Sequence, residues 1–187
     1  MGLLTDGISE IIATTRGNAA PIGLIVRGDS CRMHLFRGSH TAANIARDGW
    51  VVANFCFDPV LFVRTAFDDL PASSFREEIV DGVAMSRLAE TSAWIAFAAE
   101  IEKETTEALM VRLHPKKEVL VHTGLRPVNR GFNSIIEAAV HGTRYLRNRD
   151  PQLRALIDHH ARLVRKCGGP EEREALDLLL GYLPGPE

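Results

Sequence analysis

The chain has 187 residues, a length that suggests one domain, or one domain with an extension. Its 22 Lys and Arg against 24 Asp and Glu leave a net charge of −2, so no positive excess is available to neutralise a nucleic-acid backbone. A content of 45% hydrophobic and 25% charged residues excludes disorder; no apolar run approaches the roughly 20 residues of a membrane span, and the N-terminus lacks a secretory pattern. The three cysteines, Cys31, Cys56 and Cys167, are too scattered for a disulfide framework, and a soluble cytoplasmic protein is expected.

Residues 10–15 form a short β-prone run. Residues 20–27 are apolar and broken by Gly23, which suggests a strand with a bulge or a close backbone approach. Gly28-Asp29 marks a turn, and residues 31–36 alternate, with Met33 and Leu35 on one face. After the turn Arg37-Gly38-Ser39, residues 41–48 read as a short helix that stops at Gly49. Residues 50–57 are a continuous apolar run interrupted by Asn54, the pattern of a buried strand. Asp58-Pro59 combines an N-cap with a proline at the first helical position, so a helix is expected through about Phe67.

Residues 68–92 are the least readable; Pro71, Ser73 and Ser74 suggest a loop. Residues 93–104 fit a helical face through Trp94, Phe97 and Ile101 and also fit alternation. A strand is preferred because 109–113 and 118–121 look like partners, separated by a turn at His114-Pro115-Lys116-Lys117. After Gly124 the period changes. Ile135, Ile136, Ala139, Val140 and Thr143 fall on one helical stripe, and Asp150-Pro151 opens a second helix whose apolar residues are Leu153, Leu156, Ile157, Leu163 and Val164. Pro170-Glu171-Glu172 opens a third, which presents Leu176, Leu179 and Leu180.

The segment 35–45 joins a strand end to a helix start through small residues. Such a junction leaves backbone N–H groups free to face an anion. Arg37 can add a bidentate contact, and the hydroxyls of Ser39 and Thr41 can donate to phosphate oxygens. Equally, Ser39 can serve as a helix cap with Arg37 solvated. Residues 14–23 form a small-residue loop between strands, where Asn18 offers a donor and an acceptor; a polar hairpin loop is the plainer meaning. Asn54, within an apolar strand, must bond either a neighbouring loop or a ligand. Arg126 and Arg130 crowd the positive end of a helix, which a bound anion would relieve or solvent would accommodate. No metal is expected: His-Glu-x-x-His and Cys-x-x-Cys are absent, and Glu137, His141 and Arg144 on one helix face usually mean a solvated surface. Cys56 reads as a small core residue. The Gly-x-Gly-x-x-Gly, P-loop and Gly-x-Ser-x-Gly signatures are also missing.

Several runs occur in a familiar order: Asn18-Ala19-Ala20-Pro21-Ile22-Gly23, then Leu35-Phe36-Arg37-Gly38-Ser39-x-Thr41-x-x-Asn44-Ile45, Val52-x-Asn54 and Asp58-Pro59-x-Leu61-Phe62. Asn129-Arg130, Ile136-Glu137-Ala138 and Thr143-Arg144 follow. Together they resemble an uncharacterised family of FMN-binding split-barrel proteins, known from methanogenic archaea and from methylotrophic bacteria with tetrahydromethanopterin-linked one-carbon chemistry. The Thr-x-x-Asn-Ile run also looks like the wider flavin-reductase superfamily.

The resemblance implies a mainly β fold with α: a six-stranded antiparallel split barrel over residues 1–124, and a C-terminal helical extension packed on it over 125–187. It implies a homodimer with one FMN near each end of the subunit interface. Arg37, Ser39 and Thr41 would hold the FMN phosphate, Thr15 and Asn18 would face the isoalloxazine edge, Asn54 would lie near the ribityl chain or ring, and Arg130 with Asn129 would reach the phosphate or ribityl side. The implied function is a flavoprotein, either an oxidoreductase on a small molecule or a non-catalytic flavin carrier or sensor. No side chain is assigned as a catalytic acid or base.

Overall fold

The structure is a computed structural model and describes residues 2–124 and 127–184. Six strands form a closed antiparallel barrel: β1 (Gly7–Thr15), β2 (Asn18–Arg27), β3 (Ser30–Phe36), β4 (Trp50–Phe55), β7 (Ala93–Glu104) and β8 (Ala108–Leu120), in the spatial order β1-β2-β3-β8-β7-β4. The hairpin β5 (Phe75–Val80) and β6 (Val83–Leu88) is a separate two-stranded sheet. Helix α1 (His40–Asp48) lies between β3 and β4, and α2 (Pro59–Phe67) follows β4. Helices α3 (Arg130–Asn148), α4 (Pro151–Cys167) and α5 (Pro170–Tyr182) complete the chain.

By packing, the chain forms two compact units. One comprises Met1–Cys56 and Leu70–Gly124; the other comprises Phe57–Asp69 and Leu125–Glu187. Helix α2 therefore packs with the three later helices: Val63 joins Ile135, Ala138, Ile157, Val164, Leu176 and Leu179 in one apolar core. The buried stripe of α4 is Ile157, Ala161 and Val164, while Leu156 stays exposed.

The barrel core follows strand alternation. Ile11 and Ala13, Leu24 and Val26, Met33 and Leu35, Val51 and Ala53, Ile95 and Phe97, and Val111 and Leu113 all point inward. Ala42 and Ile45 of α1 join this core. Strand β4 is buried on both faces, because Trp50 and Val52 pack outward with Val80, Met85, Trp94 and Ala96. That double burial explains the unbroken apolar run at 50–53.

The expected caps are present. Gly49 ends α1 at φ 68°, its N–H donating to the Ile45 carbonyl. Asp58 accepts from the Leu61 N–H, and Asp150 from the Gln152 N–H. At Gly23 the β1–β2 register runs unbroken, and a Cβ there would meet Ile8 Cγ2 at 2.9 Å, so the glycine marks a close approach rather than a bulge.

Three expectations are corrected. The turn expected at 114–117 is part of one continuous strand, β8; Lys116 is the extra residue of a bulge, with Lys117 opposite Ala96 and Pro115 opposite Phe97. A bulge tolerates proline inside a sheet because the ladder is already interrupted there. Strand β4 ends at Phe55, leaving Cys56 only half-buried. Within the poorly readable stretch 68–92, where only a loop at Pro71, Ser73 and Ser74 is suggested, residues 75–88 form the β5–β6 hairpin, turned by Asp81 and Gly82 with φ of 49° and 80°. An Asp-Gly pair between apolar residues is the usual mark of that turn.

A second bulge places Glu102 as the extra residue of β7. Its carboxylate accepts from Arg32 Nε at 2.5 Å and Arg32 Nη2 at 2.9 Å, and also from Arg112. Hydrogen bonds first from Arg32 and then from Arg112 pull the Glu102 carboxyl down to about 2. A lowered carboxylate contributes stability in full above its ordinary value and loses it as pH falls toward the folded-state value. Thermal unfolding followed from about pH 5 to about pH 2 is therefore expected to show a shallower acid decline in Glu102→Gln than in the parent. Identical slopes would show that this cluster does not contribute.

Candidate functional site

One end of the barrel gathers the β1–β2 turn, the β3–α1 turn, the β7–β8 turn and the start of β4. Helix α1 closes this end, tied to the β1–β2 turn by three contacts. Asn18 Nδ2 donates to Thr41 Oγ1 at 2.9 Å, Asn44 Nδ2 donates to Thr15 Oγ1 at 3.0 Å, and Arg16 Nε donates to Asp48 Oδ2 at 2.7 Å. Arg16 sits at φ 43° in the tight turn, a left-handed geometry that these contacts help to hold. Hydrogen bonds from Arg47 and then Arg16 hold the Asp48 carboxyl well below the usual carboxylate range.

Ser39 performs the capping role. Its Oγ accepts from the Ala42 N–H at 3.2 Å and donates to the Phe36 carbonyl at 2.8 Å. By helix geometry the amides of His40 and Thr41 have no partner within α1, and the helix dipole adds partial positive charge at this end. Arg37 is not merely solvated. Its N–H donates to the Glu107 carbonyl at 2.9 Å, Nη1 donates to the Thr105 carbonyl at 3.1 Å, and Nη2 pairs with Glu104 at 2.8 Å. Its side chain still keeps 52% of its surface in solvent, so the guanidinium remains accessible to a further anion.

Thr15, Asn18, Arg37, Ser39 and Thr41 are thus brought together at this end of the barrel. Thr15 and Thr41 are buried, Ser39 is half-buried and Arg37 is exposed. Asn18 spends its amide nitrogen on Thr41; among the described residues no donor bonds its carbonyl oxygen. One guanidinium, the Thr41 hydroxyl and the helix-terminal amides form a donor set suited to a phosphate monoester, the Ser39 proton being engaged by the Phe36 carbonyl.

Asn54 lies elsewhere, four residues along β4 from Trp50, which is about 13 Å of strand. It faces outward beneath the β5–β6 hairpin and is fully buried. Its Nδ2 donates to the Ile12 carbonyl at 2.9 Å and to Thr14 Oγ1 at 3.0 Å, while Oδ1 accepts from the Leu88 N–H at 2.9 Å. Thr14 Oγ1 in turn donates to the Ser86 carbonyl at 2.7 Å. The bond to a neighbouring segment, one of the two alternatives open for this residue, is present.

Asn129 and Arg130 belong to the helical unit. Asn129 caps α3, its Oδ1 accepting from the Gly131 N–H at 2.7 Å and its Nδ2 donating to Glu172 Oε1 at 3.0 Å. Arg130 is exposed at the first position of α3. Arg126 lies outside the described residues. The Cys31 thiol is buried inside the barrel and pushed up to about 11 by that burial, which makes it a core group rather than a nucleophile at neutral pH.

The contacts missed from sequence are those of Asn44, Glu104 and the hairpin backbone at Ser86 and Leu88. Asn44 stood within a recognised motif and could have been found as the partner of the β1–β2 turn. Glu104 is distant in sequence and carried no local signal, whereas the hairpin carried one in Asp81-Gly82.

Comparison with known proteins places these observations in a family. A family described as a protein of unknown function (DUF447) matches with its N-terminal domain over residues 9–122 and with its other part over residues 129–181. A crystal structure of an FMN-bound protein from Methanosarcina mazei, of the same family, is 37% identical, covers 96% of each chain and superposes with a TM-score of 0.91. An uncharacterised protein of Methanocaldococcus jannaschii is 24% identical over 94% of this chain and 98% of its own.

Proposed function

The chain belongs to the DUF447 family, and on that premise we propose that it is an FMN-binding flavoprotein. The observation that carries this reading is the FMN-bound family member, which shares 37% identity and a TM-score of 0.91 over 96% of the chain. The donor set at the α1 end of the barrel supports the same cofactor. Arg37, Ser39, Thr41 and the first amides of α1 would hold the phosphate, and Thr15 with Asn18 would face the ring. The amides of Asn54 and Asn129 are already engaged within their own units, and Arg130 is exposed at the first position of α3.

We assign it a redox role, as an oxidoreductase acting on a small molecule in the cytoplasm, with a pterin of one-carbon metabolism as the substrate class to test first. When bound, FMN supplies the electron or hydride transfer, and the protein binds and orients it. A homodimer that holds FMN near the subunit interface is part of this proposal. Among the described residues no helix is long and apolar enough to cross a membrane.

A second reading, a carrier or sensor without turnover, is favoured by one observation. The carboxylates Asp48 and Glu104 at this end are both paired with arginines, which leaves them poorly placed as proton donors or acceptors. The two readings separate on reduction kinetics: an oxidoreductase accelerates flavin reduction or reoxidation when its substrate is added, and a carrier does not.

Flavin binding is tested first, by absorption of the purified protein and by titration with FMN. Removing a charge-assisted contact costs about 1.5–3 kcal/mol, so Arg37→Ala with Ser39→Ala is expected to weaken FMN binding by about 10- to 100-fold. Loss of the cap lowers stability by about 1 kcal/mol, and far-ultraviolet circular dichroism should stay native. A parent protein that is colourless and refuses FMN would overturn the reading.

A further inference from the structure

The helical unit contains a cluster that the flavin reading does not use. Glu137 and His141 lie four residues apart on α3, so one helical turn stacks them on the same face. Helix α4 begins after the two-residue connection Arg149-Asp150, and so short a connection folds it back antiparallel to α3. At 1.5 Å per residue, His141 lies about 10 Å before the end of α3 and His160 about 14 Å after the start of α4. The two histidines are therefore nearly level across the hairpin. Their rings stack at 5.7 Å between centroids with 30° between planes. One ligand atom from each of Glu137, His141 and His160 lies within 4.8 Å of the others.

The burial of this cluster is costly as it stands. Nδ1 of His141 and Nδ1 of His160 are both buried without a hydrogen-bond partner. An unsatisfied buried polar atom is destabilising, and each helix contributes one here, beside the apolar residues Ile157, Ala161 and Val164. Apolar residues at 141 and 160 would avoid that cost. An ion accepting both lone pairs would remove it, and the Glu137 carboxylate at the exposed rim would supply the negative charge that such an ion requires.

We propose that Glu137, His141 and His160 form a binding site for a divalent first-row transition metal of the Zn2+ type, which clamps α3 to α4. Two imidazoles and one carboxylate form a donor set suited to Zn2+, with the remaining position open to water. His159, adjacent in sequence, is exposed and outside the set. The Glu137–His141–Arg144 face expected from sequence as a solvated surface thus gains its third ligand from a helix further along the chain. The site lies wholly within the helical unit and does not depend on flavin binding.

The test uses the full chain with its FMN, stripped by a chelator, dialysed, and titrated with ZnCl2 in a calorimeter. Metal retained after a second dialysis is measured by elemental analysis. One Zn2+ per chain is expected, with a rise in the temperature at which the helical signal melts. Even outer-shell changes weaken metal sites about 10- to 100-fold, so His141→Gln and His160→Gln should each lower affinity by at least about tenfold. Glu137→Gln, at an exposed position, provides a ligand variant that does not depend on repacking the interface, and it should also bind more weakly. His159→Gln should bind like the parent. The proposal is overturned if the parent retains no stoichiometric zinc, if the ligand variants bind as well as the parent, or if His159→Gln alone abolishes binding.

Discussion

Asn54→Asp is expected to destabilise the barrel unit by about 3–5 kcal/mol, the cost of an uncompensated buried charge. The parent amide uses both of its ends: two N–H groups reach the Ile12 carbonyl and Thr14 Oγ1, and the oxygen receives the Leu88 N–H. An aspartate would retain only the last of these. Its second oxygen would face the Ile12 carbonyl, with the Val52 carbonyl also nearby, and both repel a carboxylate. Burial raises a carboxyl above its ordinary value of about 3.9. The variant should therefore recover stability as pH falls and the group takes up a proton, and lose it again as pH rises. Denaturant unfolding of parent and variant at about pH 4 and pH 7 checks both size and sign. A variant as stable as the parent at neutral pH would show that the hairpin is not anchored through this residue. FMN affinity of the folded fraction should change little, because the amide is committed to Ile12, Thr14 and Leu88.

Gly131→Ala is the second large effect, in the helical unit. Replacing a helical glycine by alanine ordinarily stabilises by about 1 kcal/mol. Here the new Cβ would stand 2.6 Å from Gly168 Cα and 2.9 Å from Gly168 N, where only backbone can give way. Gly168 is equally confined, since a Cβ there would meet the Val164 carbonyl at 2.8 Å and Glu172 Cβ at 2.9 Å. The two glycines pack backbone against backbone where α3 begins beside the α4–α5 connection. Asn129 bonds Glu172 across this junction, and Glu172 Oε2 accepts from the Gly169 N–H at 2.7 Å. Overpacking of this kind exceeds the helix gain, and a net loss of about 2 kcal/mol is expected. Hydrogen exchange should speed up in α3, α4 and α5, with the barrel amides unaffected. A higher melting temperature, as for an ordinary surface glycine, would refute the close packing.

The sequence by itself determined the local features of this protein. Period-two alternation located β3, a β-prone run at 10–15 marked part of β1, and an apolar run at 20–27 marked most of β2. Asp58-Pro59 and Asp150-Pro151 opened helices, and Gly49 closed one, because a cap is made by side chains and backbone within four residues of each other. The turn that carries Arg37, Ser39 and Thr41 between β3 and α1 was legible for the same reason: a strand end, a small-residue turn and a helix start are consecutive. The order of these short motifs also pointed to the FMN-binding family before any coordinates.

Tertiary structure decided what depends on residues far apart in the chain. Strand β8 runs through Pro115 because β7 lies beside it and a bulge absorbs the missing donor. Asn54 found a backbone partner in Leu88, 34 residues away. Arg37 acquired Glu104 as a partner only when β7 returned to the same end of the barrel. Helix α2 stands between two strand-bearing segments yet packs with the C-terminal helices, because its apolar face completes their core. His160 joined Glu137 and His141 only when α4 folded back along α3. Local bonding is set by near neighbours and can be read in order, whereas a buried polar atom is satisfied by whichever segment the fold delivers to it.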